Sequence, residues 1–329
     1  EIHLQLHGQG KLFSQEKFSP YGEPNTFISP YSMGFPGTYP VFNNSILEPA
    51  IRMAKALGAN LAGKLSFSRK NYFYPDLPKS YQITQTEPYA ENGTITIPDD
   101  TTEGFKEITI AHFVLEEDAA KSIHEKAETK LDFNRAGVAL IEMVTKPQLS
   151  SPTGAVSLLK IVQATARELK VSNADMEKAQ MRCDANISLK PKGTSALGPR
   201  VEIKNLNSFR YLRQALEFEM QRQAKLLKNV QQTQPETRGF NQKSKETFAM
   251  RQKEGGLDYR FFNDPDLPPI WVPEEYLSST VQGTENLPEK RAIYLIAKMG
   301  LAPNDAIELA TADRLFNLFM KLAHKTDHI

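Results

Sequence analysis

An acidic residue inside an apolar stretch is the feature that most restricts how this chain can fold. Glu142 lies within the run Val138-Ala139-Leu140-Ile141-Glu142-Met143-Val144, whose other members are all apolar. An ionised carboxylate is costly to bury among such neighbours unless a cationic group meets it. The run therefore predicts a strand in a partly buried sheet, with Glu142 held near a cation.

Other polar residues alternate with apolar ones, which is the period of a strand. They are Glu1 and His3, Arg182, Asp184 and Asn186, and Glu202 and Lys204, while Glu116 to Asp118 end another predicted strand. Strands that place them on one sheet face would gather carboxylate oxygens and one imidazole. Such a set suits Mg²⁺ or Mn²⁺ better than a structural zinc. The alternative is a row of solvent-facing acids, with His3 as a packed strand histidine.

Two long helices and a helical C-terminal stretch complete the pattern. Ser151 and Pro152 provide an N-cap and a first-turn proline for one helix, and a second helix is predicted over 208–228. Residues 287–324 have helical periodicity. Because strands and helices do not alternate as βαβ units, we predict an α+β fold. We expect a first domain at 1–280 and the start of a helical C-terminal domain, truncated, at 281–329.

The segment Arg69–Gln82 combines basic residues, three adjacent aromatic residues and two prolines. Proline has no backbone donor, so Pro75-Asp76-Leu77-Pro78 cannot continue a sheet ladder. Basic side chains on a rigid turn beside a flat apolar surface suit a nucleotide or a phosphate. The alternative is a packed aromatic hairpin with surface charges. Asn92-Gly93 predicts a separate hairpin turn.

Two further segments are candidates for ligand contacts. Residues 204–208 lead into the second helix, where backbone amides suit an anion or a ribose, with simple helix capping as the alternative. Residues 250–256 and 258–260 combine glycines with charges and suit the rim of an active site, with a surface loop as the alternative. No GxxxxGK[ST] or dinucleotide-binding glycine motif occurs, which excludes a P-loop as the source of nucleotide binding.

Composition limits the function classes that are open. The 329 residues suffice for one large core and a small second domain, and the net charge of +1 provides no overall attraction to nucleic acid. Any RNA contact must therefore be local or shared with a partner. Cys183 is the only cysteine, which excludes an internal disulfide and suits a reducing compartment. No apolar run has the length of a membrane span, so we expect no membrane insertion.

Six blocks of sequence follow one another in a fixed order. They are RKNYFYPDLPKSYQITQ (69–85), LEEDAAKS (115–122), LDFNRAGVALIEMV (131–144), MRCDANISL (181–189), EIKNLNSF (202–209) and MRQKEGGLDYRFF (250–262). In their residues and their order, these blocks resemble the GatB/GatE family, the B subunits of glutamyl-tRNA(Gln)/aspartyl-tRNA(Asn) amidotransferases. The resemblance covers most of residues 1–275.

The resemblance implies a curved antiparallel sheet that forms a cradle with flanking helices, similar to the glutamine synthetase/guanidino kinase fold. It also implies a ligase component that binds ATP and Mg²⁺ or Mn²⁺. Such a protein phosphorylates the side-chain carboxylate of glutamate on misacylated Glu-tRNA(Gln), and ammonia then displaces the phosphate to give Gln-tRNA(Gln). Phosphoryl transfer depends on positioning and charge neutralisation more than on a covalent residue.

The resemblance also implies roles for individual residues. The assignments are His3, Glu117 and Glu142 for one metal; Glu1, Asp184 and Glu202 for a second metal; Lys70, Lys204, Asn205 and Arg251 for ATP and its phosphates; and Glu117, Glu142, Lys70 and Asp184 as the catalytic set. Many members of the family bind zinc through two cysteine pairs. The corresponding positions here are Ser14, Glu16, Ser29 and Ser32, so we expect no zinc.

The same resemblance implies partners and a compartment. An amidase-type A subunit would supply ammonia from glutamine, and a mitochondrial form would add a small third component. The sequence of this chain diverges from the commonest bacterial sequences of the family, which favours the mitochondrial matrix over a bacterial cytoplasm as its compartment. Two other functions stay open: a non-catalytic tRNA-binding scaffold within the same complex, and a metal-dependent hydrolase that acts without ATP.

Overall fold

The computed structural model describes residues 1–99, 104–194, 196–229, 233–250, 258–278, 281, 283–323 and 325. These residues contain short and long strands. The strands are β1 (Ile2–Gln5), β2 (Asn60–Leu61), β3 (Lys64–Leu65), β4 (Ser68–Asn71), β5 (Tyr81–Thr84), β6 (Ala90–Pro98), β7 (Phe105–Glu117), β8 (Lys121–His124), β9 (Thr129–Asp132), β10 (Ala139–Thr145), β11 (Met181–Ile187), β12 (Val201–Leu206), β13 (Glu236–Asn241), β14 (Glu246–Ala249), β15 (Phe262–Asn263) and β16 (Ile270–Trp271).

Seven α-helices lie within the same described residues. They are α1 (Leu47–Ala56), α2 (Pro152–Glu168), α3 (Phe209–Lys228), α4 (Glu274–Ser278), α5 (Pro288–Ala297), α6 (Pro303–Ala310) and α7 (Asp313–Ala323). The two longest, α2 and α3, begin where the sequence predicts, because Ser151 and Ser208 cap them. Each serine hydroxyl accepts a hydrogen bond from a backbone N–H of the first turn.

Nine strands form the main sheet, in the order β14-β13-β12-β11-β1-β10-β7-β6-β2. The first strand of the chain is central, since β1 pairs antiparallel with β10 on one side and with β11 on the other. The pair β12–β13 is parallel, so the expectation of a purely antiparallel sheet is wrong there. The physical reason is α3, which lies between β12 and β13 in the chain and provides the crossover that parallel neighbours require.

The two faces of the main sheet differ in polarity. Ile2 and Leu4 of β1 lie on the same face as Ile141 and Met143 of β10, and all four are buried. Helices α2 and α3 pack on one another, and they contact β6 and β11 respectively. The opposite face carries the polar residues of the same strands, beginning with His3. Strand alternation thus separates the core from the candidate site.

The Arg69–Gln82 segment forms an antiparallel hairpin beside the main sheet. Its strands β4 and β5 pair directly, and β15 adds to β4. Residues 72–80 connect the two strands, and Phe73 and Tyr74 in this connection are exposed. The remaining small sheets pair β16 with β3 and β8 with β9.

The architecture is a mixed sheet with helices, which is consistent with the predicted α+β class. The hairpin turn predicted at Asn92-Gly93 is wrong, because β6 runs through both residues and pairs with β7 along its length. After residue 283 the described residues contain helices α5 to α7 and no strand. A separate C-terminal domain, and likeness to the glutamine synthetase/guanidino kinase fold, stay predictions.

Candidate active site

Strand register brings polar residues from distant parts of the chain to one place on the open face. His3 of β1 lies opposite Glu142 of β10 and Arg182 of β11. Glu116 of β7 is two residues beyond the position that pairs with Glu142, so it shares the same face. Glu1 precedes His3 by two residues and lies on this face for the same reason.

The imidazole of His3 lies among three carboxylates. Its Nε2 is 3.3 Å from the Oε1 of Glu116, 3.5 Å from the Oε1 of Glu1 and 3.6 Å from the Oε2 of Glu142. One ligand atom each from Glu1, His3 and Glu142 falls within 4.8 Å of the others. We call His3, Glu1, Glu116 and Glu142 the His3 cluster. Its nitrogen and oxygen donors fit a divalent cation such as Mg²⁺ or Mn²⁺.

Burial and mutual repulsion perturb the acids of the His3 cluster. Burial raises the pKa of Glu116 to about 7, an effect that His3 opposes and Glu142 reinforces. Burial and the charge of Glu142 also raise the pKa of Glu1. Burial alone would raise the pKa of Glu142, but the hydrogen bond and charge of His3 hold it below its usual range. Crowded carboxylates of this kind gain stability when a cation joins them.

The structure does not bring Glu117 to the His3 cluster, so its predicted grouping with His3 and Glu142 is wrong. Adjacent strand residues face opposite ways, and Glu117 therefore lies on the core side. There it is buried, and it accepts hydrogen bonds from Lys79 Nζ at 2.6 Å and from the backbone N–H of Ile83 at 2.9 Å. Glu116 occupies that place in the His3 cluster instead, and choosing it over Glu117 requires the register of β7 against β10.

The two other predicted metal ligands lie farther along the same face. Asp184 on β11 accepts a hydrogen bond at 2.9 Å from the backbone N–H of Asn205, whose φ is +61°. Glu202 on β12 is 3.3 Å from Lys204 Nζ and accepts a hydrogen bond from the Thr237 hydroxyl. These contacts fix both carboxylates in place. A second metal at Asp184 and Glu202 stays a prediction.

The predicted phosphate-binding lysines lie beside carboxylates. Lys70 lies 5.0 Å from the ring centre of Tyr259. Its charge opposes the raised pKa of Glu116 and contributes to the lowered pKa of Glu142, so it acts on the His3 cluster. Lys204 is paired with Glu202. Burial alone would lower the pKa of Lys204, but the neighbouring carboxylates raise it above its usual value. Arg251, the predicted arginine of this set, lies outside the described residues.

Asp118 and two arginines form a buried group at the end of β7. The Asp118 carboxylate accepts hydrogen bonds from Arg135 Nε at 3.1 Å and from Arg182 Nη2 at 3.0 Å. Burial alone would raise the pKa of Asp118, but the two guanidinium groups hold it below its usual range. Arg182 is also the partner of His3 across β1 and β11. The sequence identifies Arg182 only as a polar strand residue.

A loop near the N-terminus contains the positions that correspond to the cysteines of the family's zinc site. Ser29 Oγ donates to Glu16 Oε1 at 3.0 Å and lies 3.4 Å from Ser32 Oγ. The Lys11 ammonium lies 3.3 Å from Glu16 Oε1. A lysine cation thus lies within this polar group.

The fold and the His3 cluster define an α+β protein that gathers carboxylates and an imidazole on the open face of a mixed sheet. No helix in the described part of the chain is long and apolar enough to cross a membrane.

Comparison with known proteins gives the family. Residues 1–278 match the GatB/GatE catalytic domain. A protein from Persephonella marina, named as the B subunit of aspartyl/glutamyl-tRNA(Asn/Gln) amidotransferase, is 43% identical over 325 residues, which cover 98% of this chain and 68% of that protein. Proteins of the same name from Wolbachia pipientis and Thermus thermophilus are 40% and 42% identical; the matches cover 99% and 94% of this chain, and 68% and 65% of those proteins. The chain belongs to the GatB/GatE family.

Proposed function

We propose that this chain is the B subunit of a glutamyl-tRNA(Gln) amidotransferase. It uses ATP to phosphorylate the side-chain carboxylate of glutamate on misacylated Glu-tRNA(Gln), and ammonia then displaces the phosphate. The observation that carries the proposal is the His3 cluster, which lies on an open sheet face beside Lys70 in a member of this family. Three relatives are named as this component of an amidotransferase.

The His3 cluster would hold a divalent cation, which would supply positive charge to neutralise the phosphate groups. His3 and its carboxylates provide the donors, and their crowding favours a cation at this place. Asp184 and Glu202 are proposed for a second cation. Glu117 has no place in this set, since it faces the core.

Lysine side chains of this chain would orient the phosphate groups of ATP. Lys70 is on β4, and its charge acts on Glu116 and Glu142, so it would bind a phosphate oxygen beside the His3 cluster. Lys204 and the backbone near Asn205 lie farther along the sheet face, on β12, and would contact the nucleotide. No covalent residue is required, because charge neutralisation and positioning account for most of the acceleration in phosphoryl transfer.

The proposal needs an ammonia source outside this chain. An amidase-type A subunit would release ammonia from glutamine, and this chain would accept it at the acyl phosphate. Use of Asp-tRNA(Asn) as a second substrate is part of the same proposal, since the relatives' names include both tRNAs. The mitochondrial matrix and a small third component stay predictions, and the three relatives come from bacteria.

The test is transfer of labelled γ-phosphate from ATP to Glu-tRNA(Gln) by the complex with its amidase partner. Glu142→Gln keeps the shape of the side chain and removes one charge from the His3 cluster, so we expect transfer to fall on the order of 100-fold. Glu107→Gln is the matched control, because Glu107 is exposed on β7. We expect it to behave as wild type.

Equal transfer by wild type and Glu142→Gln would exclude the assigned role of the His3 cluster. Hydrolysis of the ester without ATP would instead support a metal-dependent hydrolase, and tRNA binding with no ATP turnover would support a scaffold function.

A further inference from the structure

A cavity of about 520 Å³ lies beside the His3 cluster, where β7 ends and β11 begins. Its volume is in the range of small-molecule sites. Charged side chains of both signs line it, among them Asp76, Asp118, Lys121, Asp132, Arg135 and Arg182. Arg182 lines the cavity and is also the cross-strand neighbour of His3, so the cavity adjoins the His3 cluster at this residue.

Two of the carboxylates that line the cavity already accept hydrogen bonds from other groups of the protein. Asp118 is held by Arg135 and Arg182. Asp132 Oδ1 accepts the backbone N–H groups of Asn25 and Asn134. Neither carboxylate is free to bind a further cation without losing these contacts.

Asp76 differs from these two carboxylates. It lies in the turn between β4 and β5, and its backbone carbonyl accepts a hydrogen bond from the Ala120 N–H at 3.0 Å, which fixes the turn against the end of β7. The residue is half-buried, and no lysine or arginine in the described part of the chain lies within ion-pair distance of its carboxylate. Asp76 is thus a positioned carboxylate that has no ion-pair partner among the described residues.

The electrostatic surroundings connect Asp76 with the His3 cluster. Burial and the charge of Asp118 raise the pKa of Asp76, which a cation at this position would reverse. The charge of Asp118 also acts on Glu116. Tyr72, which follows β4, experiences the charges of both Asp76 and Glu116. The geometric connection is Arg182, which lines the cavity, donates a hydrogen bond to Asp118 and lies opposite His3 in the sheet.

We propose that the cavity receives the α-amino end of the amino acid esterified to tRNA, and that the Asp76 carboxylate binds its α-ammonium group. This inference rests on the proposed function. A glutamyl ester carries a negative side-chain carboxylate, which is the reacting group at the His3 cluster, and one positive charge, the α-ammonium. Asp76 would bind the ammonium end while the side-chain carboxylate lies at the His3 cluster, since Arg182 lines the cavity and is the cross-strand neighbour of His3. Deacylated tRNA lacks the ammonium and gains nothing from Asp76.

The experiment compares two substrates and three proteins. The substrates are Glu-tRNA(Gln) and its α-hydroxy analogue, in which a neutral hydroxyl of similar size replaces the amine. The proteins are the wild-type complex with its amidase partner, Asp76→Asn, and Asp305→Asn as the matched control. Asp305 is exposed on α6 and does not line the cavity. The readout is KM and kcat for amidation, with KM for ATP measured separately.

We expect the α-hydroxy substrate to raise the wild-type KM on the order of 10- to 100-fold, as for the loss of one charged hydrogen bond. Asp76→Asn should show the same rise with Glu-tRNA(Gln) and no further rise with the analogue. Asp305→Asn should match wild type, and KM for ATP should be unchanged throughout. A merely structural role for Asp76 would leave the preference between the two substrates intact.

A wild-type complex that uses both substrates equally well overturns the inference without any variant, as does an Asp76→Asn variant that still prefers the amine. In both cases amidation itself persists, so the proposed function survives. A wild-type complex that does not amidate Glu-tRNA(Gln) with ATP overturns the proposed function and the inference together.

Discussion

Lys11 shows how one buried side chain can hold a loop in place. Its ammonium is 0% exposed, donates to the Phe27 carbonyl at 2.9 Å and lies 3.3 Å from the Glu16 carboxylate. Burial alone would raise the pKa of Glu16, but the charge of Lys11 and the hydrogen bond donated by Ser29 hold it below its ordinary value of 4.5. The pair therefore stabilises the fold while both groups are charged.

Replacing Glu16 with glutamine leaves the Lys11 ammonium buried without its counter-charge. We expect Glu16→Gln to lower the free energy of unfolding by about 2 kcal/mol near neutral pH, below the full penalty of a dry pair because solvent partly screens Glu16. A depressed pKa means that this stabilisation is present above pH 4.5 and is lost as the pH falls below it. The difference between wild type and variant should therefore narrow in acid.

Urea unfolding at about pH 7 and about pH 3.5 measures both effects. Glu48→Gln is the control, because the Glu48–Arg52 pair is exposed on α1 and should contribute nothing measurable. A difference between wild type and Glu16→Gln that stays constant with pH would contradict the assignment.

The adjacent residues Glu116 and Glu117 mark the limit of prediction at the residue scale. The sequence establishes that acids end β7, and its apolar pattern indicates a strand. Which of two consecutive acids faces the site depends on the register against β10, which sequence periodicity does not determine at a strand end. Glu116 therefore belongs to the His3 cluster, whereas the next residue, Glu117, is a buried partner of Lys79.

At the scale of elements, Arg69 attaches the β4–β5 hairpin to the rest of the protein. Its guanidinium donates to Asp264 Oδ2 and to Asp266 Oδ2, each at 2.8 Å, and lies 4.2 Å from the ring centre of Tyr81. The Asp264 side chain is fully buried. Because Lys70 is the next residue on β4, this contact also sets where Lys70 lies relative to the His3 cluster.

Arg69→Lys keeps the charge but loses the planar fork and the stacking on Tyr81. We expect the free energy of unfolding to fall by about 2 kcal/mol, since buried Asp264 loses part of its hydrogen bonding. Chemical denaturation measures this change, with Arg52→Lys on the exposed face of α1 as the matched control. Equal stability of the two variants would show that charge alone suffices at position 69.

Element prediction succeeded where local chemistry decides the outcome. Ser151 and Ser208 specify the starts of α2 and α3 because a capping hydroxyl is a local feature. The Asn92-Gly93 pair has the residues of a tight turn, yet pairing of β6 with β7 on both sides of it keeps the strand continuous. Tertiary pairing thus overrides turn propensity there.

At the scale of the whole molecule, the site depends on strand order. Glu1 and His3 reach Arg182 and Glu142 only because β1 lies between β10 and β11. Composition and alternation could predict that polar residues share a sheet face. They could not predict which strands are neighbours, because pairing across such sequence separations depends on the packing of the entire core.

Arg291 connects the C-terminal helices with helix α2, which packs against the main sheet. It is buried in α5, pairs with Glu168 at the end of α2 and with Asp313 at the start of α7 at 3.2 Å, and lies 4.8 Å from the ring centre of Phe316. Because the Arg291 side chain connects α5 with α2 and α7, its loss should favour local opening of α5 to α7 and leave the stability of the main sheet unchanged.

Native-state hydrogen exchange of Arg291→Met tests this coupling. We expect amide protection in α5, α6 and α7 to fall on the order of 10-fold, with protection in β1, β7 and β10 retained, because local opening needs less free energy than global unfolding. Arg314→Met removes an exposed arginine from α7 and should leave all protection unchanged. An equal loss of protection in the sheet and in the C-terminal helices would show that both unfold as one cooperative unit, and that Arg291 stabilises the whole molecule.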